Sequence, residues 1–419
     1  MHNIYKNIVV PSAKYFLAFF KWVLISAAIG VLGGILGSLF HKCIDHVTEL
    51  RGEHPWILYL LPIAGLIIAA AYHAAKKYGN IDTNRVLEST GSDKNIPFVT
   101  VPLIFFSTVL THMFGGSAGR EGAALQLGGG MAYGVGKILR LSRGDMHTAV
   151  LAGMSAVFAA LFGTPLTAAF FALEVVNVGM MRYSALVPCI VSALSAYGIS
   201  LSLGVSPVRF DVAIPNITVS LTIRALFLAV LCAVLSIIFC IAVEEGKFVF
   251  RRFFSNRFLR IFAGGTAVVL LTLAVGTYDY NGAGMDIAAR ALSGKALPSA
   301  FALKILFTAI SIGSGFTGGE IVPSFFIGAT FGCTVAPVLG LEPAFAAAVG
   351  FIALFCGAVN CPVASTLLAF EVFGGDGLMI FAPVCAVSYM MSGNFSLYTS
   401  QKFMYSKISE QYLGQDISV

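Results

Sequence analysis

Long apolar stretches separated by short polar segments dominate the chain. A spanning helix needs about 20 apolar residues, and seven stretches with few or no charges approach that length: 17–41, 57–75, 145–162, 184–204, 222–244, 258–276 and 342–358. Because a lone span in lipid must satisfy its own backbone hydrogen bonds, these stretches are predicted to be helices. The pattern therefore predicts an all-α polytopic membrane protein.

Composition strengthens this prediction. Of the 419 residues, 58% are hydrophobic and only 11% are charged, whereas soluble domains have about 45–50% apolar and about 25% charged residues. A single transmembrane domain over residues 1–419 is expected. Eight cysteines are scattered mostly through apolar segments without a CxxC pair, so they are expected to pack in the core, with no metal or cofactor.

Basic residues cluster between two of the apolar stretches, at Lys247, Arg251, Arg252, Arg257 and Arg260. By the positive-inside rule this connection is predicted to face the cytoplasm, in a multi-pass protein of the cell membrane with both termini cytoplasmic. The net charge of +6 needs no nucleic-acid partner. The apolar run from Tyr15 lacks a cleavage site, so it is expected to be the first helix rather than a signal peptide.

The two halves of the chain match each other. Residues 116–121 match 315–320 at an offset of 199, and residues 152–153 and 165–175 match 349–350 and 362–372 at an offset of 197. Internal symmetry of this kind is typical of secondary transporters. The chain is predicted to contain two repeated halves, at roughly 15–205 and 218–415.

Each half also contains short apolar pieces that begin near a glycine or a proline: 123–139, 165–176, 323–338 and 362–373. Pieces this short cannot all span, and broken helices at membrane depth occur where they are buried or line a cavity. Their N-termini direct free N–H groups and partial positive charge into that cavity. The pieces predict a binding site for a small anion.

Two carboxylates occupy matching places at the starts of such helices. Glu121 follows Gly119-Arg120, and Glu320 precedes Ile321-Val322-Pro323, with the proline in the first helical turn. An ionised carboxylate there would compete with an anion for the helix N-terminus, and a protonated one would leave. Ionisable groups inside a membrane are functional by default. The alternative is that Glu121 only pairs with Arg120.

A second matching pair, Glu174 and Glu371, lies at the far ends of the proline-led helices. Because the two glutamates are equivalent in the repeat, a shared structural task such as binding loop amides is expected. A rival function comes from 115–119, which fits the G-x-S-x-G pattern of a serine hydrolase, with His112 nearby. That motif requires a preceding strand, and 101–114 is predicted to be a helix, so no enzyme is expected.

Several of these motifs resemble the CLC family of chloride channels and anion/proton antiporters: Gly119-Arg120-Glu121-Gly122, the 318–323 stretch, the Pro165 to Glu174 helix, and Tyr398. The resemblance covers nearly the whole chain. It implies that Glu121 is the external gate, that the amides of Ile321 and Val322 bind the anion, and that Tyr398 caps the anion from the cytoplasmic side. It also implies that the two halves form an inverted repeat with tilted and broken helices, and that the protein is a homodimer with one pathway in each subunit.

Other positions distinguish branches of this family. The Gly-Ser-Gly-Ile-Pro motif is absent, and 82–86 resembles the altered motif of the fluoride-exporting branch, which makes Thr83 and Asn84 the candidate inner ligands. Glu320 stands where the fluoride/proton antiporters have a glutamate. The residue after Glu174 is Val175, where chloride/proton antiporters usually have an internal proton-relay glutamate.

Two features depart from the fluoride branch, which often has a threonine at the place of Val322 and phenylalanines at the places of Val86 and Leu87. Proton-coupled fluoride export is still the favoured function, with a chloride/proton antiporter or a passive chloride channel as alternatives. The expected partners are fluoride or chloride, protons and the lipid bilayer. Only 21 residues follow Tyr398, so no cytoplasmic regulatory domain is expected.

Overall fold

The computed structural model describes residues 10–75, 83–90 and 95–416. Within these residues the helices, in chain order, are α1 (Val10–Glu53), α2 (Leu61–Ala75), α3 (Thr83–Ser89), α4 (Thr100–Met113), α5 (Glu121–Ile138), α6 (Arg143–Phe162), α7 (Pro165–Glu174), α8 (Leu186–Ser202), α9 (Val219–Phe253), α10 (Arg257–Val275), α11 (Met285–Leu292), α12 (Ala300–Ser314), α13 (Ile321–Leu339), α14 (Pro343–Val359), α15 (Pro362–Phe373) and α16 (Leu378–Met391). Short 3-10 helices at Pro55–Leu60 and Tyr183–Ala185 lead into α2 and α8. The protein is an all-α polytopic membrane protein built as an inverted repeat.

Seven helical segments of the described chain are long and apolar enough to cross a membrane. Six of them coincide with predicted spans, and the seventh does not. The predicted span 342–358 is α14, with 17 residues, whereas the piece predicted as short, 323–338, is α13, with 19 residues. The prediction for α13 was wrong because the helix begins two residues before Pro323, which the first turn of a helix tolerates.

The basic connection is also more helical than predicted. Helix α9 runs for 35 residues, so Lys247, Arg251 and Arg252 lie on its last turns rather than in a loop. Lysine and arginine are good helix formers, and cations near a helix C-terminus are favourable. Only residues 254–256 separate α9 from α10, whose first residue is Arg257.

Equivalent glycines let neighbouring helices approach closely in both halves. A Cβ atom at Gly128 of α5 would lie 2.1 Å from the carbonyl oxygen of Gly153 in α6. A Cβ atom at Gly328 of α13 would lie 2.2 Å from the carbonyl oxygen of Gly350 in α14. Small residues at such crossings are typical of helix packing in membranes. Both crossings are therefore built in the same way.

Glu174 and Glu371 join the two halves reciprocally. Glu174, at the end of α7, accepts hydrogen bonds of 3.1 and 2.8 Å from the amides of residues 363–364, in the first turn of α15. Glu371, on α15, accepts bonds of 2.9 and 2.8 Å from the amides of residues 166–167, in the first turn of α7. These amides lack partners within their own helices. The two glutamates therefore share a structural task, as expected, but the amides that they bind belong to helix first turns rather than to loops.

Replacing Glu371 with alanine is expected to lower the free energy of unfolding by about 1–2 kcal/mol, as the loss of a helix cap does. The reason is that the amides of residues 166–167 lose their acceptor. The measurement is the thermal unfolding midpoint of the purified protein in detergent. The control is Glu410→Ala, since Glu410 is exposed between the last two strands. Equal midpoints for the two variants would refute a capping role for Glu371.

A small three-stranded sheet joins the C-terminal segment to the end of α7. Its strands are β1 (Asn177–Val178), β2 (Lys402–Tyr405) and β3 (Tyr412–Asp416), with β2 parallel to β1 and antiparallel to β3. Gln401, just before β2, donates hydrogen bonds to the carbonyl oxygens of Val175 (3.0 Å) and Val359 (2.9 Å). The sheet and Gln401 thereby hold the segment that carries Tyr398.

The eight cysteines are all free, and every one except Cys43 is buried. The expectation that they pack in the core is confirmed for those seven.

Candidate anion site

Two helix N-termini meet at the centre of the repeat. The loops that lead into α5 and α13 form an antiparallel bridge, in which the Gly119 amide donates to the Gly319 carbonyl (2.6 Å) and the Gly319 amide donates to the Gly119 carbonyl (2.7 Å). The first amides of a helix have no partner inside that helix and carry partial positive charge. The bridge therefore brings two anion-attracting helix ends side by side.

The backbones approach closely at this bridge, most of all at Gly319. A Cβ atom at Gly319 would lie 2.5 Å from the amide nitrogen of Gly122 and 3.0 Å from that of Glu121. A Cβ atom at Gly119 would lie 2.2 Å from the Glu121 carboxylate. The sequence matched Gly119 with Gly318 and Glu121 with Glu320, but this register was wrong by one residue: Gly119 pairs with Gly319, and Glu121 is the first residue of its helix whereas Glu320 is the N-cap of the other.

Hydroxyl groups hold the two loops in equivalent ways. The Ser117 amide donates to the Ser311 hydroxyl on α12 (2.9 Å), and the Thr317 amide donates to the Thr111 hydroxyl on α4 (3.3 Å). The Ser117 hydroxyl contacts the Thr308 hydroxyl at 3.1 Å. These contacts give Ser117 a structural task in the repeat.

The arrangement does not favour the hydrolase alternative. Helix α4, not a strand, precedes the G-x-S-x-G segment, as the sequence predicted. The ring nitrogen Nδ1 of His112 lies 2.9 Å from the Thr108 carbonyl oxygen on its own helix. Within the described residues, Ser117 is paired with a threonine hydroxyl rather than with an imidazole base.

Glu121, the first residue of α5, is fully buried. Its Oε2 atom accepts a hydrogen bond of 3.2 Å from the Val322 amide, in the first turn of α13, and its Oε1 atom has no hydrogen-bond partner among the described residues. The carboxylate of one half thus occupies a helix N-terminus of the other half. The arrangement is chemically suited to competition between a carboxylate and an anion for the same amide.

Arg120 does not pair with Glu121. Its guanidinium group instead meets Asp45 on α1, with 3.0 Å between Nη1 and Oδ1, and His41 contacts the other oxygen of the same carboxylate at 2.9 Å. The alternative in which Glu121 only balances Arg120 is therefore wrong. The Glu121 side chain is bound through a backbone amide, without a cationic partner in the described chain.

Glu320 occupies the N-cap position of α13 and is partly buried. It lines a cavity of about 620 Å³ that we call the basic vestibule. The charged and polar side chains that line the basic vestibule are Tyr72, Thr83, Asn84, Gln126, Glu244, Lys247, Arg251, Arg257, Arg260, Thr317, Glu320, Tyr398 and Thr399. Four cations and a buried tyrosine thus share one cavity with this carboxylate.

Tyr398 is 3% exposed and also lines the basic vestibule. Its hydroxyl group has no hydrogen-bond partner among the described residues. Its backbone is held by a bond of 3.0 Å from its amide to the Ser396 hydroxyl, and the Leu397 amide donates to the Ala358 carbonyl at 3.0 Å. A fixed hydroxyl with a free proton is suited to donate to an anion.

Thr83 and Asn84 line the basic vestibule together with this tyrosine. The Asn84 amide donates to the Thr399 hydroxyl (2.9 Å), and its oxygen accepts from the Ser400 amide (3.2 Å) and hydroxyl (2.9 Å). Both ends of the Asn84 side chain are therefore engaged with the segment that follows Tyr398. Asp82, the first residue of the motif, lies outside the described residues.

Gln126 is a candidate site residue that the sequence did not reveal. It is 4% exposed, lines the basic vestibule, and donates a hydrogen bond of 2.7 Å to the Thr83 hydroxyl. Its carbonyl oxygen has no hydrogen-bond partner among the described residues. The sequence feature that could have indicated it is a single amide side chain among the small residues at the start of α5, five positions after Glu121.

A second cavity, of about 480 Å³, approaches the same helix starts. We call it the mixed-charge vestibule, because its charged lining residues are Asp45, Arg51, Arg120, Asp279 and Asp286. Glu320 and Gly318 line the basic vestibule, whereas Val322 and Arg120 line the mixed-charge vestibule. The paired helix starts therefore lie between the two cavities, which is where a gate would act.

Known proteins share this architecture. The model of the voltage-gated chloride channel family matches residues 74–393. A protein of Pseudomonas syringae pv. tomato named "Chloride/fluoride channel protein" is 35% identical over 396 residues, which cover 92% of this chain and 87% of that protein. An "H(+)/Cl(-) exchange transporter ClcA" of Vibrio campbellii is 26% identical and covers 84% of this chain and 82% of its own.

Solved structures agree with these relatives. The crystal structure of a CLC-type fluoride/proton antiporter superposes with a TM-score of 0.87 at 33% identity and covers 92% of this chain and 98% of its own. A slow cyanobacterial Cl⁻/H⁺ antiporter shares the fold, with a TM-score of 0.75 at 18% identity over 89% of this chain and 94% of its own. The chain therefore belongs to the voltage-gated chloride channel family, that is, the CLC family.

Proposed function

We propose that this protein exports fluoride in exchange for protons. The observation that carries the proposal is the Glu121 carboxylate bound to the Val322 amide, with Glu320 at the start of the same helix. Glu121 is the gate, and Glu121 and Glu320 transfer the protons. The residues proposed to bind the anion are Thr83, Asn84, Gly119, Arg120, Gly122, Ile321, Val322 and Tyr398.

In this mechanism the anion enters through the basic vestibule and passes Tyr398. Protonation of Glu121 weakens its hold on the Val322 amide, and the anion takes the amides of Ile321 and Val322 in its place. Return of the ionised carboxylate displaces the anion. Proton transfer and anion transfer are coupled because the carboxylate and the anion exclude each other from the same helix N-terminus.

Fluoride suits this site for a physical reason. It is small and strongly hydrated, so a site must replace its water with several strong donors. Two helix starts provide amides, the Tyr398 hydroxyl has no partner among the described residues, and a protonated Glu320 adds a further O–H donor. The 35% identity to a protein named for chloride and fluoride, and the 33% identity to a fluoride/proton antiporter, support fluoride over chloride alone.

Orientation and assembly are part of the proposal. The basic vestibule faces the cytoplasm, since the cationic ends of α9 and α10 follow the positive-inside rule. Both termini are cytoplasmic, the location is the cell membrane, and two copies assemble as a homodimer in which each subunit has its own pathway.

The direct test is efflux from proteoliposomes loaded with potassium fluoride or potassium chloride, with external fluoride, chloride and proton signals recorded together. Fluoride is expected to leave faster than chloride by about tenfold or more, the effect of one charge-assisted hydrogen bond. Fluoride efflux is expected to be accompanied by proton uptake. Protein-free liposomes are the control.

Two outcomes would contradict the proposal. Chloride efflux that outpaces fluoride efflux would favour a chloride transporter. Fluoride efflux without a proton signal would favour a passive channel. The name of the Pseudomonas syringae relative also contains the word "channel".

A further inference from the structure

The basic vestibule is much larger and more positively charged than passage of one halide ion requires. Its volume is about 620 Å³, and the cations that line it are Lys247, Arg251, Arg257 and Arg260. The carboxylates that line it are Glu244, which pairs with Lys247 at 3.3 Å, and Glu320. Four cations therefore face two carboxylates in this cavity, and one of these carboxylates is already paired with a lysine.

Arg257 and Arg260 are the least compensated of these cations. They are partly buried, and no described carboxylate lies within ion-pair distance of either. The Nε atoms of both are buried without a hydrogen-bond partner among the described residues. Arg257 stacks over the ring of Tyr72, with 4.5 Å between its guanidinium carbon and the ring centroid. Both arginines thus line the cavity, the Tyr72 ring holds the guanidinium group of Arg257, and the Nε donors of both are unused by the described residues.

The position of this pair on α10 adds to the positive potential. Residues 257 and 260 are three apart, so their side chains project from one face of the helix. They lie in its first turns, and the first turn contains no acidic residue. A helix N-terminus carries partial positive charge, which makes cations there unfavourable unless an anion compensates them. The fold therefore concentrates positive charge at this wall.

The donor type selects the ligand. A guanidinium group presents parallel N–H donors that match the oxygens of a phosphate group in pairs, a match that a spherical halide cannot use. We propose that the basic vestibule binds a phosphate group between Arg257 and Arg260, and that the bound phosphate obstructs anion entry toward Tyr398 and Glu320. The second half of this inference rests on the proposed transport function, because the obstruction acts on that pathway.

Binding is tested first without transport. Isothermal titration calorimetry of the full-length protein in detergent with inorganic phosphate is expected to show saturable binding that weakens as salt is raised, because salt screens exposed charges. In the double variant Arg257→Gln/Arg260→Gln the dissociation constant is expected to rise about tenfold or more, because each lost bond involves a charged group. Absence of binding to the natural chain would overturn the inference.

Control variants distinguish specific binding by Arg257 and Arg260 from a general effect of positive charge. Arg252→Gln removes one positive charge from the end of α9, at an exposed side chain that does not line the vestibule, and phosphate affinity is expected to be retained. Arg257→Lys/Arg260→Lys keeps the charge but loses the paired donors, so its affinity is expected to be intermediate. This variant also provides the test if the glutamine variant does not fold. Equal affinity in all four proteins would refute the assigned site.

Obstruction is tested in proteoliposomes with inorganic phosphate on both sides of the membrane. Phosphate is expected to slow fluoride efflux, raised fluoride is expected to relieve the inhibition, and the double glutamine variant is expected to lose it. Fluoride efflux that phosphate does not slow would refute obstruction and leave the transport proposal intact. Calorimetric binding by a protein that does not move fluoride would refute the transport proposal and leave the phosphate site intact.

A last arm identifies the source of the phosphate group. Efflux is compared between vesicles of phosphatidylcholine alone and vesicles that also contain phosphatidic acid, without inorganic phosphate. Slower efflux with phosphatidic acid, lost in the double glutamine variant, would support a lipid headgroup. Inhibition by inorganic phosphate alone would support a soluble ligand. Inhibition by phosphatidic acid that persists in the double glutamine variant would contradict the assigned site.

Discussion

Glu121→Gln is expected to reduce fluoride-driven proton uptake by about 10²-fold or more, the lower end of what a positioned proton-transfer group contributes. The glutamine amide cannot carry a proton through the cycle, yet its carbonyl oxygen can still accept the hydrogen bond that the Val322 amide donates to Glu121. The fold is therefore expected to survive. The measurement is the proton signal of fluoride-loaded proteoliposomes, with fluoride release followed in parallel.

The matched control is Glu53→Gln, which neutralises an exposed carboxylate at the end of α1. Its coupled transport is expected to equal that of the natural chain. If Glu121→Gln kept the proton-to-fluoride ratio of the natural chain, the gating role proposed for Glu121 would be lost. Uncoupled fluoride release in the variant would support that role.

Gly319→Ala is expected to have a comparably large effect through the backbone. The added Cβ atom would lie 2.5 Å from the Gly122 nitrogen, so the two helix starts must separate. Overpacking of this kind lowers the free energy of unfolding by about 1–3 kcal/mol. A displacement of about 1 Å at a reacting centre costs about 10²-fold in rate. Fluoride efflux and the thermal unfolding midpoint should therefore both fall.

Gly198→Ala is the control for this substitution. Gly198 lies within α8, and a Cβ atom there would meet no heavy atom within 4 Å. Alanine favours the helix more than glycine does, so stability should be equal or higher. Natural transport rates in Gly319→Ala would show that the close contact of the two helix starts is not needed for function.

Much of the fold follows from local patterns in the sequence. The proline-led helices begin at Pro165 and Pro362, as predicted, because proline preorganises the first turn of a helix and cannot continue one. Glu174 and Glu371 matched in the repeat and prove to bind equivalent amides. The repeat could be recognised in the sequence because each half must provide hydrogen bonds to the same backbone groups and uses the same residue types to do so.

The features that the sequence did not predict have physical explanations. Helix α9 continues past its apolar run because Lys247 and Arg251 are good helix formers, and hydropathy alone does not mark a helix end in water. Gln126 was not predicted as a site residue because a single amide side chain in a helix of small residues does not indicate a role by itself. Its role depends on its partner, Thr83, which lies on another helix. The role of such a polar side chain is determined by its tertiary contacts, and the periodicity of the sequence does not reveal it.

By itself the sequence determined the apolar helices, the repeat of the two halves and the place of Glu121 and Glu320 at helix starts, since hydropathy, glycine and proline act within a few residues. Only the tertiary structure determined which side chains and backbone groups bind each other. The Glu121 carboxylate binds the amide of a residue 201 positions away, and Asn84 binds Ser400, 316 positions away. Such pairs form because folding brings separate helix ends together, and no local pattern specifies which ends will meet.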